Sequence, residues 1–160
     1  MPSPLPYLLD SNVLVAALAE AHQHHEPSAA LLNQSTPSTF CVSAHSYAEV
    51  FNTLTRRGAH APFRRSGDNV WAALQTVAAM TRLVGLTPAQ TFDAVRAYAA
   101  AGGIGPRIYD RLIGQAAVQA GADAIVTWNT GHMRSLFPDM AVETPTEFLD
   151  RTSRQDGTKP

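Results

Sequence analysis

The sequence predicts one α/β domain with a central parallel β-sheet and helices on both of its faces. Short apolar runs rich in β-branched residues alternate with longer segments of helical periodicity, and parallel strands need such helical crossovers. The 160 residues, 45% of them hydrophobic, suffice for one core. We expect the domain to cover residues 1–150, and the polar residues 151–160 to form a disordered tail.

The N-terminal half predicts two strand–helix units. Tyr7 to Leu9 is a short apolar run that predicts the first strand, and a helical pattern follows from Val13 to Ala21. Glu26 and Pro27 suit the first turn of a second helix. Thr39 to Val42 is β-branched and aromatic enough for a second buried strand. In the helix after it, apolar residues at i, i+3, i+4 and i+7 predict a core-facing stripe. The stripe consists of Tyr47, Val50, Phe51 and Leu54.

The C-terminal half continues the alternation. Thr87 with Pro88, and Thr144 with Pro145, each offer an N-cap followed by a first-turn proline, so each pair predicts the start of a helix. Phe92 belongs to the apolar residues of the first of these helices. Further strands are expected at residues 83–86, 124–127 and 140–143, and further helices at 68–77, 88–101, 107–120 and from 145 onward.

Composition limits the classes of function. The formal net charge of −1, with 16% charged residues, lacks the basic excess of most nucleic-acid binders, so any RNA contact must be local. The single cysteine, Cys41, cannot form an intramolecular disulfide, and its apolar neighbours predict burial in a reducing compartment. No apolar stretch is long enough to cross a bilayer, so we expect a cytoplasmic protein without a membrane partner.

Three acids in separate elements predict a metal site. Asp10 ends the first strand beside a helix N-terminus, Glu49 lies off the apolar stripe of its helix, and Asp110 borders the apolar arc of another. Sites in parallel sheets form at the carboxyl ends of strands. Carboxylates are hard ligands that suit Mg²⁺ or Mn²⁺, and such a metal can activate water against a phosphodiester. The sequence therefore predicts that the three acids converge on a divalent metal that could act on a phosphodiester.

Each of these residues also has an ordinary structural interpretation. Asp10 could simply cap the helix, and Glu49 could be solvated. Thr127 could donate its hydroxyl to a carboxylate, or only contribute strand propensity. Ser11 and Asn12 could bracket Asp10, or only cap the helix.

Other side chains could contact RNA or a partner. Arg56 and Arg57, with Arg64 and Arg65 nearby, could grip phosphates or form a solvated helix end. Trp128 could stack on a base, whereas Trp71 is expected in the core or an interface. His132 could contact a phosphate, although core packing or turn formation is the simpler expectation. The histidines of the turn at residues 22–25 are expected to be solvent exposed.

Four segments together resemble the PIN domain, and most closely the VapC toxins of bacterial toxin–antitoxin pairs. These segments are Tyr7 to Leu14, Ser43 to Val50, Asp110 with Gln115 to Ala117, and Ile125 to Asn129 with His132. The resemblance implies a Rossmann-like parallel sheet and a Mg²⁺- or Mn²⁺-dependent endoribonuclease, a hydrolase. It also implies a homodimer and a cognate VapB-like antitoxin.

By position, Asp10, Glu49 and Asp110 match the acids of that family, and the fourth acidic position falls at Asn129. Asn129 can offer a neutral carbonyl ligand, but it removes one negative charge and leaves open whether one or two metals bind. This departure supports an alternative, a catalytically silent PIN-like module that binds RNA or protein. An aspartyl-phosphate phosphatase is disfavoured, because Asn12 stands where its second acid is expected.

Overall fold

The computed structural model describes residues 5–57 and 64–157. Its sheet has five strands, all parallel, in the order β3-β2-β1-β4-β5. The strands are β1 (Tyr7–Leu9), β2 (Phe40–Ser43), β3 (Arg82–Val84), β4 (Ala124–Val126) and β5 (Ala141–Glu143). The parallel α/β fold expected from the sequence is confirmed.

Helices connect the strands and cover both faces of the sheet. They are α1 (Ser11–Leu18), α2 (His25–Asn33), α3 (Ala44–Thr55), α4 (Gly67–Met80), α5 (Pro88–Ala100), α6 (Ile108–Ala120), α7 (Thr130–Leu136) and α8 (Pro145–Asp156). A 3-10 turn at Gly105–Arg107 leads into α6. Within the residues that the structure describes, no helix is long and apolar enough to span a membrane.

Alternate residues of the central strands build two cores. Leu9 of β1 is in register with Val42 and Val126, and all three pack against α1 to α4 and α8. Their neighbours Leu8, Cys41 and Ile125 face the opposite side, against α6 and α7. Because both faces of each central strand are covered, these strands are apolar except for Ser43, the last residue of β2. Cys41 is fully buried as expected, and burial raises the pKa of its thiol to about 11.

The topology places a crevice directly after β1. The chain leaves β1 to form β2 on one side, and it returns later to form β4 on the other side. Connections therefore diverge at the carboxyl end of β1, and ligands bind at such switch points in open parallel sheets. Asp10 is the residue at this point, and its backbone N–H donates to the carbonyl of Val126.

Residues 151–156 require a correction, because they continue α8 and do not form the expected disordered tail. The guanidinium of Arg151 donates two hydrogen bonds to the Glu143 carboxylate, at 2.8 and 2.9 Å, and lies over the rings of Tyr7 and Phe148. These contacts tie the helix to the domain. Residues 158–160 lie outside the described chain.

The apolar faces of two helices point partly to solvent. Val50 and Leu54 of α3 are fully buried as predicted, but Phe51 of the same stripe is exposed. On α5, Phe92 is 73% exposed, and the residue of this helix that is buried is Ala94. The periodicity found the helices correctly, but it could not distinguish a face that meets the core from one that remains open.

Candidate active site

Asp10 is buried at the carboxyl end of β1, where its side chain also caps α1. Its residue is 2% exposed, and Oδ1 accepts a hydrogen bond of 2.7 Å from the backbone N–H of Ser11. Burial raises the pKa of Asp10 to about 6, and the nearby charges of Asp110 and Glu49 act in the same direction. Hydrogen bonds from Thr127 and Ser11 oppose this rise. Capping alone does not explain a carboxylate placed this deep among like charges.

Thr127 fixes the second oxygen of Asp10. Its buried hydroxyl donates to Asp10 Oδ2 at 2.7 Å and accepts from Asn12 Nδ2 and the Asn129 backbone N–H, both at 3.0 Å. Asn12 in turn accepts from the Trp128 N–H through Oδ1, at 3.1 Å. Of the two interpretations of Thr127, the structure shows the hydroxyl contact with the carboxylate. Asn12 likewise brackets Asp10, at 3.3 Å from Oδ2.

Glu49 approaches Asp10 from α3. The Ser11 hydroxyl lies 3.3 Å from both Asp10 Oδ1 and Glu49 Oε2, so it bridges the two carboxylates. On its other side, Glu49 Oε1 lies 3.0 Å from His45 Nε2, one helical turn earlier. Both of these atoms are buried, yet the pair lacks hydrogen-bond alignment, and neither atom has another hydrogen-bond partner in the described chain. Glu49 is therefore not simply solvated: its Oε2 faces Ser11 and Asp10, and its Oε1 is covered by His45.

Asp110 lies in the first turn of α6, and its Oδ2 is 2.5 Å from His132 Nδ1. His132 belongs to α7 and is only 10% exposed at its side chain. Its ring therefore contacts a candidate metal ligand, and turn formation alone does not describe its role. Sequence reasoning missed this contact because the two residues are 22 positions apart and in different helices.

His45 was also missed, although a signal for it exists in the sequence. It precedes Glu49 by four residues within one helix, which is the spacing at which side chains on a helix meet. Its ring also stacks on Tyr109, with centroids 5.0 Å apart. Tyr109, the residue before Asp110, is thereby in contact with His45, whose ring lies beside Glu49.

Asn129, at the fourth acidic position, is exposed and directly precedes α7. Its backbone joins the Thr127 network, but its side chain makes no capping hydrogen bond to the helix. The structure therefore brings the backbone of Asn129 to the site without giving its amide a structural role in the cap.

The arginines stand apart from the carboxylates. Arg56 and Arg57 are exposed and follow the end of α3, seven and eight residues after Glu49, or roughly 10 Å along a helix axis. Arg65 has a structural contact, because its Nη1 donates to the carbonyl of Leu18 at 2.8 Å. None of these contacts brings an arginine to the acids in the described part of the chain.

The histidine turn packs against the site and is not simply solvent exposed. His24 stacks on Trp128 with ring centroids 3.9 Å apart and planes at 10°. Trp128 Nε1 donates to Ser28 Oγ at 2.9 Å, and His25 Nδ1 lies 3.0 Å from the Ala16 carbonyl. One face of Trp128 is thus already covered by His24 and is not open to a base. Trp71, which we expected in the core or an interface, is 58% exposed.

The donor set suits a hard divalent cation. Within residues 5–57 and 64–157, no three His, Cys, Asp or Glu side chains already enclose a position for a metal. Mg²⁺, however, keeps several waters and takes one or two protein carboxylates, so a closed cage is not required. The buried Asp10 carboxylate, with the charges of Asp110 and Glu49 nearby, is the feature that a cation would neutralise.

Comparison with known proteins identifies the family. The model of the PIN domain matches residues 7–135, which include all four candidate positions at 10, 49, 110 and 129. The chain belongs to the PIN domain family. The matched part of this PIN domain ends within α7, so β5 and α8 lie beyond it.

Solved structures share the fold of this PIN domain. FitAcB from Neisseria gonorrhoeae is similar at 23% identity and a TM-score of 0.58, covering 88% of this chain and 98% of that one. VapBC from Salmonella typhimurium, solved bound to DNA, is similar at 21% identity and a TM-score of 0.61, with coverage of 88% and 98%. VapC20 from Mycobacterium tuberculosis, described as a toxin that cleaves the sarcin–ricin loop, is similar at 15% identity and a TM-score of 0.60, with coverage of 81% and 94%. No curated protein matches the sequence significantly.

Proposed function

We propose that this PIN domain is a Mg²⁺- or Mn²⁺-dependent endoribonuclease that hydrolyses RNA phosphodiester bonds as the toxin of a VapBC-type pair. The observation that carries the proposal is Asp10, a buried carboxylate whose pKa is raised to about 6 beside two further acids. A protein gains nothing in stability from such a cluster. The arrangement is useful when a cation completes it.

Asp10, Glu49 and Asp110 are the residues that would hold the metal. When bound, it would supply charge neutralisation at the phosphodiester and a more acidic water. The residues around the acids would keep their oxygens in place: Thr127 and Asn12 at Asp10, and Ser11 between Asp10 and Glu49. Asn129 would border the site as a neutral amide. Arg56 and Arg57 would contact the RNA backbone at a distance from the acids.

The similar structures support the toxin assignment and an antitoxin as partner. They include a VapC toxin and the VapBC and FitAcB structures, which favours a VapB-like antitoxin as the partner of this chain. A homodimer would cover the exposed apolar residues Trp71 and Leu83, which line one groove. Light scattering on the purified chain tests the dimer, and co-purification with the product of an adjacent short reading frame tests the antitoxin.

The decisive experiment is RNA cleavage by purified protein with Mg²⁺ or Mn²⁺, using structured RNAs that include ribosomal and transfer RNA. Asp10→Asn and Asp110→Asn should reduce cleavage by more than about a hundredfold, which is the upper range for losing a residue that only supports a ligand. Asp123→Asn is the matched control, because Asp123 is exposed at the opposite end of β4. It should cleave like the wild type.

The same experiment distinguishes the proposed nuclease from the alternative, a catalytically silent module. Equal cleavage by wild type, Asp10→Asn and Asp110→Asn would identify a contaminating nuclease. Binding of RNA without cleavage of any substrate would favour the catalytically silent module, which Asn129 at the fourth acidic position keeps open. Cleavage lost with both Asp substitutions and retained with Asp123→Asn is the result that the proposal requires.

A further inference from the structure

Asp110 lacks the backbone support that fixes Asp10. Asp10 continues directly from β1 and accepts a hydrogen bond from the next backbone N–H. Asp110 instead follows a 3-10 turn and lies in the first turn of α6, 26% exposed at its side chain. A carboxylate on such a helix turn can adopt several rotamers, so a defined ligand position needs a further contact.

His132 provides that contact. Its Nδ1 lies 2.5 Å from Asp110 Oδ2, which is shorter than most hydrogen bonds between a nitrogen and a carboxylate. The oxygens of an ionised carboxylate only accept, so with Asp110 ionised this contact is a hydrogen bond in the tautomer that carries its hydrogen on Nδ1. The His132 side chain is itself confined, because it is only 10% exposed.

A close packing of α6 against α7 brings the two residues together. Gly114 lies one turn after Asp110 in α6, and a Cβ atom there would fall 2.0 Å from the ring of Phe137, which ends α7. The missing side chain at Gly114 therefore lets the two helices approach. Met133, next to His132, is 1% exposed in the core between the helices. The histidine thus comes from a rigid, packed element.

We propose that His132 is the positioning residue for Asp110, and that its Nδ1–H donor holds the carboxylate in the orientation required to bind the divalent cation. This inference rests on the proposed function. His132 acts through Asp110 and is not itself assigned as a ligand. Donors that hold ligating carboxylates typically change metal affinity or activity by 10- to 100-fold when they are removed.

The inference can be tested without RNA by measuring how tightly the full chain binds Mn²⁺. Electron paramagnetic resonance detects the free ion and so gives the bound fraction. His132→Ala should weaken Mn²⁺ binding by about 10- to 100-fold. His132→Asn should restore it to within about threefold of wild type, because its amide nitrogen stands as far from Cγ as Nδ1 does. His132→Gln is the matched control, since its amide lies one bond further out and should bind as weakly as the alanine variant. Thermal unfolding checks that all variants fold.

A second measurement needs no metal. In the wild type, ¹⁵N resonances of the His132 ring should show a hydrogen on Nδ1 at a pH where the ring is neutral, and Asp110→Asn should alter that resonance.

The packing of α6 against α7 can be tested separately. Gly114→Ala, which displaces α7 from α6, should weaken Mn²⁺ binding, as His132→Ala does.

The outcomes are distinct. If the wild type binds no Mn²⁺, or Asp10→Asn binds it equally well, the proposed metal site fails and the role of His132 fails with it. If Asp10→Asn loses binding while a folded His132→Ala retains it, only the inference about His132 is overturned. An equal loss of Mn²⁺ binding in His132→Ala and His132→Asn would overturn the inference as well. So would an Nδ1 that carries no hydrogen while the ring is neutral.

Discussion

The two halves of the candidate site are built differently. Asp10, Asn12 and Thr127 follow the ends of neighbouring strands, and backbone register brings them within hydrogen-bond distance. Glu49 and Asp110 project from helices, and each of them meets a histidine side chain, His45 or His132. The strand half is therefore fixed by the sheet itself. The helix half depends on contacts between side chains and on how helices pack.

The largest expected effect concerns the buried charge of Asp10, the centre of the strand half. Its folded pKa of about 6 lies above the ordinary value of 3.8, so the metal-free folded state binds the proton more tightly than the unfolded state does. This contribution to stability is complete below pH 4 and is lost as the pH rises through 6. The loss amounts to on the order of 3 kcal/mol.

Urea unfolding of metal-free protein between pH 4 and pH 7 measures this effect. Asp10→Asn removes the titrating group, so the free energy of unfolding of the variant should fall less over this range than that of the wild type. Mn²⁺ should stabilise the wild type more at pH 7 than at pH 4.5, since the cation competes with the proton. Identical pH profiles for wild type and variant would show that Asp10 is not buried as a charged group.

Thr127→Val sharpens the comparison, because valine keeps the shape and removes the hydroxyl. Asp10 loses a donor, and Asn12 and the Asn129 N–H lose an acceptor, all in a buried site. We expect a loss of about 1–3 kcal/mol in the free energy of unfolding, measured by urea denaturation at pH 7.

His45→Ala is the counterpart in the helix half. The side chains of His45 and Glu49 are 30% and 29% exposed, and their contacting atoms lack hydrogen-bond alignment, so removing the pair should cost less than about 1 kcal/mol. A loss at His45 as large as that at Thr127 would contradict the division between a fixed strand half and an adjustable helix half.

Much of the strand half could be predicted from the sequence, for a local reason. Asp10 and Asn12 are neighbours along the chain, and the end of an apolar run fixes where they lie in a parallel sheet. Thr127 could be placed at the same edge for the same reason, although its contact with Asp10 could not be chosen over simple strand propensity.

For the helix half, the sequence predicted which acids belong to the site but not the contacts that hold them. Periodicity placed Glu49 off the core-facing stripe, but it did not reveal the bridge through Ser11. The contact of His132 with Asp110 depends on the spacing of α6 and α7, which Gly114 and Phe137 set. For the same reason, the apolar residues of α5 gave no sign that Phe92 would remain exposed. Helical periodicity identifies a face, whereas packing decides what the face meets.

The smallest expected effect is at Asn129, where the two halves meet. Asn129→Asp adds a negative charge to an exposed side chain, so its attraction for a cation is screened by water. We expect Mn²⁺ to bind about two- to fivefold more tightly, as measured by calorimetric titration. Weaker binding would mean that the amide itself contributes a ligand that the carboxylate cannot replace.

Anomalous diffraction from crystals grown with Mn²⁺ tests the central claim most directly, because it locates the ion. We predict a peak within bonding distance of the carboxylates of Asp10 and Asp110, with Glu49 bound directly or through a water. Mn²⁺ seen only at other positions, with these side chains turned away from one another, would contradict the metal site.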